Sequence, residues 1–282
     1  STLLASSAAS DVYKRQTLIK YENQKMQAFR RQTRKDRFME MLTQKQYRAP
    51  QDIQKLASEL NYREDLVRIP ILCHLQSPLH QNAFLSSIKN SPAHLTQDIS
   101  FKIEDRYILI FKTLKEEHLF SDYKFLIADY LGEALRWLRV HEKKCMFYIG
   151  SFQSSFSQYY YAYQHCKWLE QIVRTDSTSA FFYDYAGQYL RSVMPVNELQ
   201  RMFNVYEKML GEDFKKSYLE ITGMLMDTNF NLAEAAKRLY MHKNTLVYRY
   251  NKIKDMLNVN PMVSASDRYY MEAFYNYLRR EH

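Results

Sequence analysis

Glycine is scarce in this chain, 5 in 282 residues, and no two are adjacent. Loops that cradle a nucleotide's phosphates need clustered glycines so that the backbone can come close, which excludes P-loop and dinucleotide-binding chemistry. A Gly-x-Ser-x-Gly nucleophile elbow is missing as well. Cysteine is scarcer still: Cys73, Cys145 and Cys166 are odd in number, widely spaced and set in apolar runs. They read as buried thiols in a reducing compartment, not as a disulfide framework. Cys73-His74 and His165-Cys166 are adjacent pairs whose side chains diverge on any regular backbone, so no metal-ligand set emerges. No window reaches the ~18 to 20 consecutive apolar residues that a membrane-spanning helix needs, and a soluble, cytoplasmic chain is expected. Neither cofactor nor metal nor catalytic pair is expected.

What is present is an apolar content of 46% and a length of 282 residues, enough for packed cores and for two domains. The formal net charge of +9 favours a polyanionic partner. The excess lies in two clusters, one between Thr17 and Arg48 and one between Lys237 and Lys254. Only the second coincides with a reading motif; the first has the composition of a solvated helix or connecting coil. The 24 Tyr and 16 Phe residues include the run Tyr159-Tyr160-Tyr161, which on a helix spreads around the axis and reads as packing ahead of a ligand-stacking box.

The segment Asn231 to Leu257 carries the strongest pattern, two short helices joined by a tight turn. Asn231 is placed to cap the first helix, with Glu234 three residues on reaching back to the cap amide. In the second helix Leu246, Tyr250, Ile253 and Leu257 fall on one stripe that must face a core. The opposite face holds Asn244, Thr245, Tyr248 and Lys252, with Arg249 on the flank. Such hydrogen-bonding and cationic groups suit the base edges and phosphates of a DNA major groove.

The words of this segment, His242-Lys243-Asn244-Thr245-Leu246 followed by Tyr248-Arg249 and Ile253, resemble the signature that closes regulators of the PucR/CdaR family, which includes sugar diacid utilisation activators. Lys243 departs from the family's usual Arg and Val247 from a common basic residue, whereas Tyr240, where many other helix-turn-helix proteins have glycine, matches the aromatic residue usual in this family. The resemblance implies a transcriptional regulator that binds double-stranded DNA. From their side-chain chemistry Asn244, Thr245 and Tyr248 are expected near base edges and Lys243, Arg249 and Lys252 mainly on phosphates, and because one reader helix contacts only a few base pairs a homodimer on two half-sites is expected. The resemblance also implies control of sugar-acid or related catabolic genes, and a small-molecule effector sensed by a domain upstream of this chain.

Upstream, Leu66 to Leu75 reads as a strand, His80 to Asn90 as a helix, and Asp98 to Glu104 with Arg106 to Lys112 as a hairpin turning at Glu104-Asp105. A helix from Tyr123 to Val140 is expected to bury Phe125, Ala128, Leu131, Leu135 and Leu138; a strand from Lys144 to Gly150, a helix from Phe156 to Val173 and a strand from Ala180 to Tyr185 follow. This order, with Ile149-Gly150 and Tyr185-Ala186-Gly187, is similar to the GGDEF-like domain that precedes the DNA reader in PucR/CdaR regulators. A working diguanylate cyclase of that kind needs paired glycines and metal-holding carboxylates at the hairpin, where this chain has Ile103-Glu104-Asp105-Arg106-Tyr107, so no enzymatic activity is expected.

The expected fold class is therefore α+β: a degenerate GGDEF-like mixed sheet with covering helices, followed by an all-α helix-turn-helix bundle. Residues 1–16 resemble translated adaptor or cloning sequence and imply truncation. A helical connector is expected over 17–60, with Ile53, Leu56, Ala57 and Leu60 as an apolar stripe behind Pro50. The α+β domain is expected over 61–195, a linking helix over 196–210 and the DNA-binding domain over 211–282. Within the last, Ser266 is the expected cap of a final helix that packs Tyr270, Met271, Phe274 and Leu278 onto the bundle. The alternatives to DNA binding are a nucleotide- or ligand-sensing GGDEF-like module and a protein-interaction module whose basic helix meets an acidic partner.

Overall fold

The computed structural model describes residues 2–119, 122–141, 145–174 and 177–280, with side chains from 14 to 279. The chain separates into two compact units, 1–185 and 186–282.

The first unit opens with a long helix, α1 (Thr2–Gln44), which takes in residues 2–16 without a break. From 14 to 34 it is exposed, and only near its end do Phe38, Met41 and Leu42 become buried. The helix α2 (Pro50–Glu59) follows. Pro50 occupies its first turn, and the Asp52 carboxylate accepts from the Ala49 amide at 3.1 Å. The expected stripe Ile53, Leu56, Ala57 and Leu60 is buried.

Among the described residues five strands form one sheet in the order β2-β3-β1-β4-β5: β1 (Val67–His74), β2 (Ile99–Ile103), β3 (Tyr107–Leu114), β4 (Met146–Ile149) and β5 (Ser179–Phe181). All pairings are antiparallel except β4 with β5, which is parallel. Three helices complete the unit, α3 (Gln81–Asn90), α4 (Tyr123–His141) and α5 (Phe156–Ile172). Both faces of β1 are covered, which is why its sequence is an unbroken apolar run instead of an alternating one. Ile69, Ile71 and Cys73 share a core with Phe84 and Ile88 of α3 and Ile127 and Leu131 of α4. The other face packs on α5, where Phe111 stacks on Tyr159 with ring centroids 4.6 Å apart. Gly150 allows that closeness, since a Cβ there would lie 2.5 Å from the Ala162 carbonyl oxygen and 2.7 Å from the Pro70 ring.

Two expectations fail in this unit. In α4 the buried stripe is Tyr123, Ile127, Tyr130, Leu131, Ala134 and Leu138, while Phe125 is 74% exposed and Ala128 is exposed. Ile127, Leu131, Ala134 and Leu138 follow steps of four, three and four, which stay on one face; a stripe begun at Phe125 with two steps of three drifts off it. The last strand ends at Phe181, and Phe182–Asp184 form a 3-10 turn.

The second unit is all helix: α6 (Ala186–Val193), α7 (Val196–Met209), α8 (Glu212–Asp227), α9 (Leu232–Arg238), α10 (Lys243–Leu257) and α11 (Ala265–Arg280). Its core joins Leu199 and Phe203 of α7 to Tyr218, Ile221 and Leu225 of α8 and to Met271, Phe274, Tyr277 and Leu278 of α11. The helix over 196–209 is thus packed into the bundle, with the Phe203 and Phe274 rings 4.9 Å apart. Capping of α11 differs from expectation. Ser264, two residues before Ser266, accepts from the Asp267 amide at 3.2 Å, and the Asp267 carboxylate is turned to the Asn260 amide at 2.7 Å. The α+β sheet followed by a helical bundle is the fold class the sequence led to.

Candidate nucleic-acid interface

The interface is built on α8, α9 and α10. Phe230 and the buried pair Ala235 and Ala236 bring α9 close against its neighbours. Asn231 caps α9, its side-chain oxygen accepting from the amides of Ala233 and Glu234, both at 3.1 Å. The reciprocal half of the expected capping box does not form. The Asn231 amide is already bonded to the Thr228 carbonyl at 3.0 Å, and Glu234 turns outward to accept from Arg238 Nε at 2.9 Å. That contact holds the Glu234 carboxyl below its usual range.

The turn between α9 and α10 is set by Tyr240. Its φ of 51° is left-handed, its amide bonds to the Lys237 carbonyl, and the next amide, of Met241, bonds back to Ala236 at 3.0 Å. This is a Schellman closure, for which glycine is the least strained residue. A side chain here costs about 1 kcal/mol relative to glycine. The Tyr240 ring is 98% exposed, so it recovers nothing by packing within the described residues. Helix α10 then starts on His242, whose Nδ1 accepts from the Asn244 amide at 3.2 Å.

On α10 the apolar stripe Leu246, Tyr250, Ile253 and Leu257 is buried as expected. Lys243, Asn244, Thr245, Tyr248 and Lys252 are all exposed, and Tyr248 has 71% of its surface free. Lys243 and Lys252 have no ion-pair partner among the described residues, which leaves both ammoniums available to an anion. Arg249 is placed differently from the other five. Its Nη1 donates to Glu220 Oε2 of α8 at 3.0 Å, with both side chains roughly half exposed. Tyr248, Arg249 and Lys252 line one side of a cleft of about 540 Å³, with Asp213, Lys216 and Glu220 of α8 opposite. Asp255 is exposed on the same side of α10 as Tyr248, seven residues on, so the negative charge it places in the last turn confines the anion-attracting surface to the first three turns.

One neighbour of the candidate interface went unnoticed in the sequence. Glu220 gave no signal, because its link to Arg249 spans 29 positions and two helices. Tyr240 did give one, an aromatic residue where many helix-turn-helix proteins have glycine, and the structure adds its left-handed backbone and its full exposure. The hairpin acids Glu104 and Asp105 are exposed. Among the described residues no group of three or more His, Cys, Asp or Glu side chains is placed to hold a metal ion.

Residues 218–269, which run from α8 to the start of α11, match the PucR C-terminal helix-turn-helix domain. The chain carries a PucR-type helix-turn-helix domain. Over 70 residues it is 33% identical to the purine catabolism regulatory protein of Bacillus subtilis (strain 168), a stretch that makes up 24% of this chain and 13% of that protein. The crystal structure of a regulator of polyketide synthase expression from Bifidobacterium adolescentis aligns over 89% of this chain and 94% of that one, at 14% identity and a TM-score of 0.44. Helices α9 and α10, with the turn at Tyr240 between them, lie wholly inside the matched residues. No helix among the described residues is long and apolar enough to cross a membrane.

Proposed function

We propose that this protein is a sequence-specific, DNA-binding transcriptional regulator. Helix α10 docks in the major groove, with Asn244, Thr245 and Tyr248 facing base edges and Lys243, Arg249 and Lys252 on phosphates. The observation that carries this reading is the two-sidedness of α10: a fully buried apolar stripe fixes the helix, and its opposite side presents amide, hydroxyl and ammonium groups to solvent. Amides and hydroxyls read base edges, whereas ammoniums hold the backbone without reading sequence.

One reader helix spans only a few base pairs, so the protein works as a homodimer on two half-sites about 34 Å apart. The regulated genes are catabolic. The name of the Bacillus subtilis relative, a regulator of purine catabolism, and the likeness to sugar diacid regulators both support that class. The protein acts where DNA is, in the cytoplasm.

Selection of bound fragments from a randomised duplex pool at low ionic strength tests the assignment. The expected product is an enriched pair of inverted half-sites whose centres lie one helical turn apart. A pool that shows no enrichment after repeated rounds overturns sequence-specific binding.

A further inference from the structure

A cleft lined by lysines lies in the first unit, far along the chain from α10. Residues of α1 from Gln32 to Met39, Leu85 and Lys89 of α3, and the segment from His94 through Lys102 of β2 surround a cleft of about 480 Å³. That volume falls in the range of small-molecule pockets, roughly 300 to 1,000 Å³. β2 is an edge strand, so its outer backbone groups have no strand partner.

The charges of the cleft do not balance. Lys35 comes from α1, Lys89 from α3 and Lys102 from β2. Among the described residues none of the three has an ion-pair partner; Lys102 donates instead to the neutral Asn82 side chain at 2.8 Å. Of the two carboxylates in the lining, Asp98 is already committed. It is buried and accepts from Lys112 Nζ at 2.7 Å and from the amides of Thr113 and Leu95, both at 2.8 Å. That leaves Asp36, which accepts from Gln32 at 2.9 Å. Lysines on exposed helices are ordinarily solvated and far from one another. Here desolvation by the surrounding protein, and then the charge of Lys35, hold the Lys89 ammonium below its usual range. Two like charges brought together are destabilising, and an anion between them lowers that penalty.

The remainder of the lining selects what accompanies the charge. Tyr62, Leu85 and Met39 are half-buried, and Leu95 is 49% exposed. The Ser100 hydroxyl is buried with no hydrogen-bond partner among the described residues, an unmet donor and acceptor in the same cleft.

We propose that this cleft binds a small organic anion, a carboxylate or phosphate carried on an apolar body, with Lys35 and Lys89 as its main charge partners. Calorimetric titration of the full chain with phenyl phosphate, benzoate and the uncharged benzyl alcohol tests it. One saturable site is expected for at least one of the two anions, and either order of the two supports the proposal while telling phosphate from carboxylate chemistry. Affinity should fall about tenfold in K35Q/K89Q and in part in K89Q alone, an exposed side chain whose loss leaves the core intact. It should be unchanged in K115Q, which removes an exposed lysine elsewhere. Absence of saturable binding to either anion, equal binding of benzyl alcohol, or full affinity in K35Q/K89Q overturns the proposal. DNA binding is not needed for any of these outcomes.

Discussion

Arg68 is a fully buried cation on β1 that has no carboxylate partner among the described residues. Its guanidinium is satisfied by neutral acceptors instead: the Gln97 carbonyl at 3.0 Å, the Arg63 carbonyl at 2.9 Å, the Tyr159 hydroxyl at 3.0 Å and the Gln97 side chain at 3.2 Å. It also lies over the Phe156 ring, 5.3 Å from its centroid. One side chain therefore ties β1, the loop before β2 and α5 together, and its removal takes the donor from two part-buried carbonyls and from the buried Tyr159 hydroxyl. Arg68→Ala is expected to destabilise the first unit by about 3 kcal/mol or more, since each hydrogen bond to a charged group contributes about 1.5 to 3 kcal/mol. Urea unfolding of the variant against the parent chain measures this. At the residue scale the sequence was legible where periodicity decides: Leu246, Tyr250, Ile253 and Leu257 were assigned to the core from spacing and are buried. It was illegible where two stripes compete, as in α4, where Phe125 looks like a core residue and the neighbouring register starting at Ile127 packs instead. The role of Arg68 was equally hidden, because a single charged residue in an apolar strand does not say which distant carbonyls will meet it.

At the scale of elements, hairpin, helices and turns were readable from local chemistry. The β2–β3 turn falls at Glu104, whose φ is 51°, and the helices of the reader begin and end within a residue or two of the capping and turn signals. Contacts between elements were not readable, and one of them involves a residue of the proposed interface. Glu220 on α8 holds Arg249 on α10 at 3.0 Å and places a carboxylate at the edge of the surface assigned to DNA. In a duplex complex that carboxylate competes with phosphate for the guanidinium. Glu220→Gln is expected to raise duplex affinity by up to about fivefold at low salt, the worth of one exposed ion pair. Equilibrium binding of the variant checks it, and an unchanged or lowered affinity means that Arg249 does not reach the backbone. Tyr240 shows the same split between local and distant information: its strain is a local fact, whereas its 98% exposure belongs to the way α9 and α10 meet.

At the scale of the molecule, the chain is two units with separate cores, and the sequence order of strands and then helices already indicated an α+β unit followed by a helical one. The pairing β2-β3-β1-β4-β5 was beyond it, because strand order depends on which edges meet after α3, α4 and α5 have covered the faces. The exposure of Lys243, Asn244, Thr245, Tyr248 and Lys252 was legible because they lie within one helix, where spacing fixes the side they share, whereas the turn of Arg249 toward Glu220 was not. The cleft at Lys35, Lys89 and Lys102 was not legible either, since its three charges come from three elements and only folding brings them together. A chain with net charge +9 attracts any duplex, so affinity alone does not distinguish reading from attraction. The dependence on salt does. Fluorescence anisotropy of a selected duplex, titrated with parent chain, Lys252→Ala and Asn244→Ala across a series of salt concentrations, is the most direct test that α10 enters the groove. Lys252→Ala should weaken binding to all duplexes alike and flatten the logarithmic salt dependence by about one unit of slope, while Asn244→Ala should keep the slope and cost about 1 to 3 kcal/mol on the selected sequence alone. Parent-like binding and slope in both variants would contradict the account.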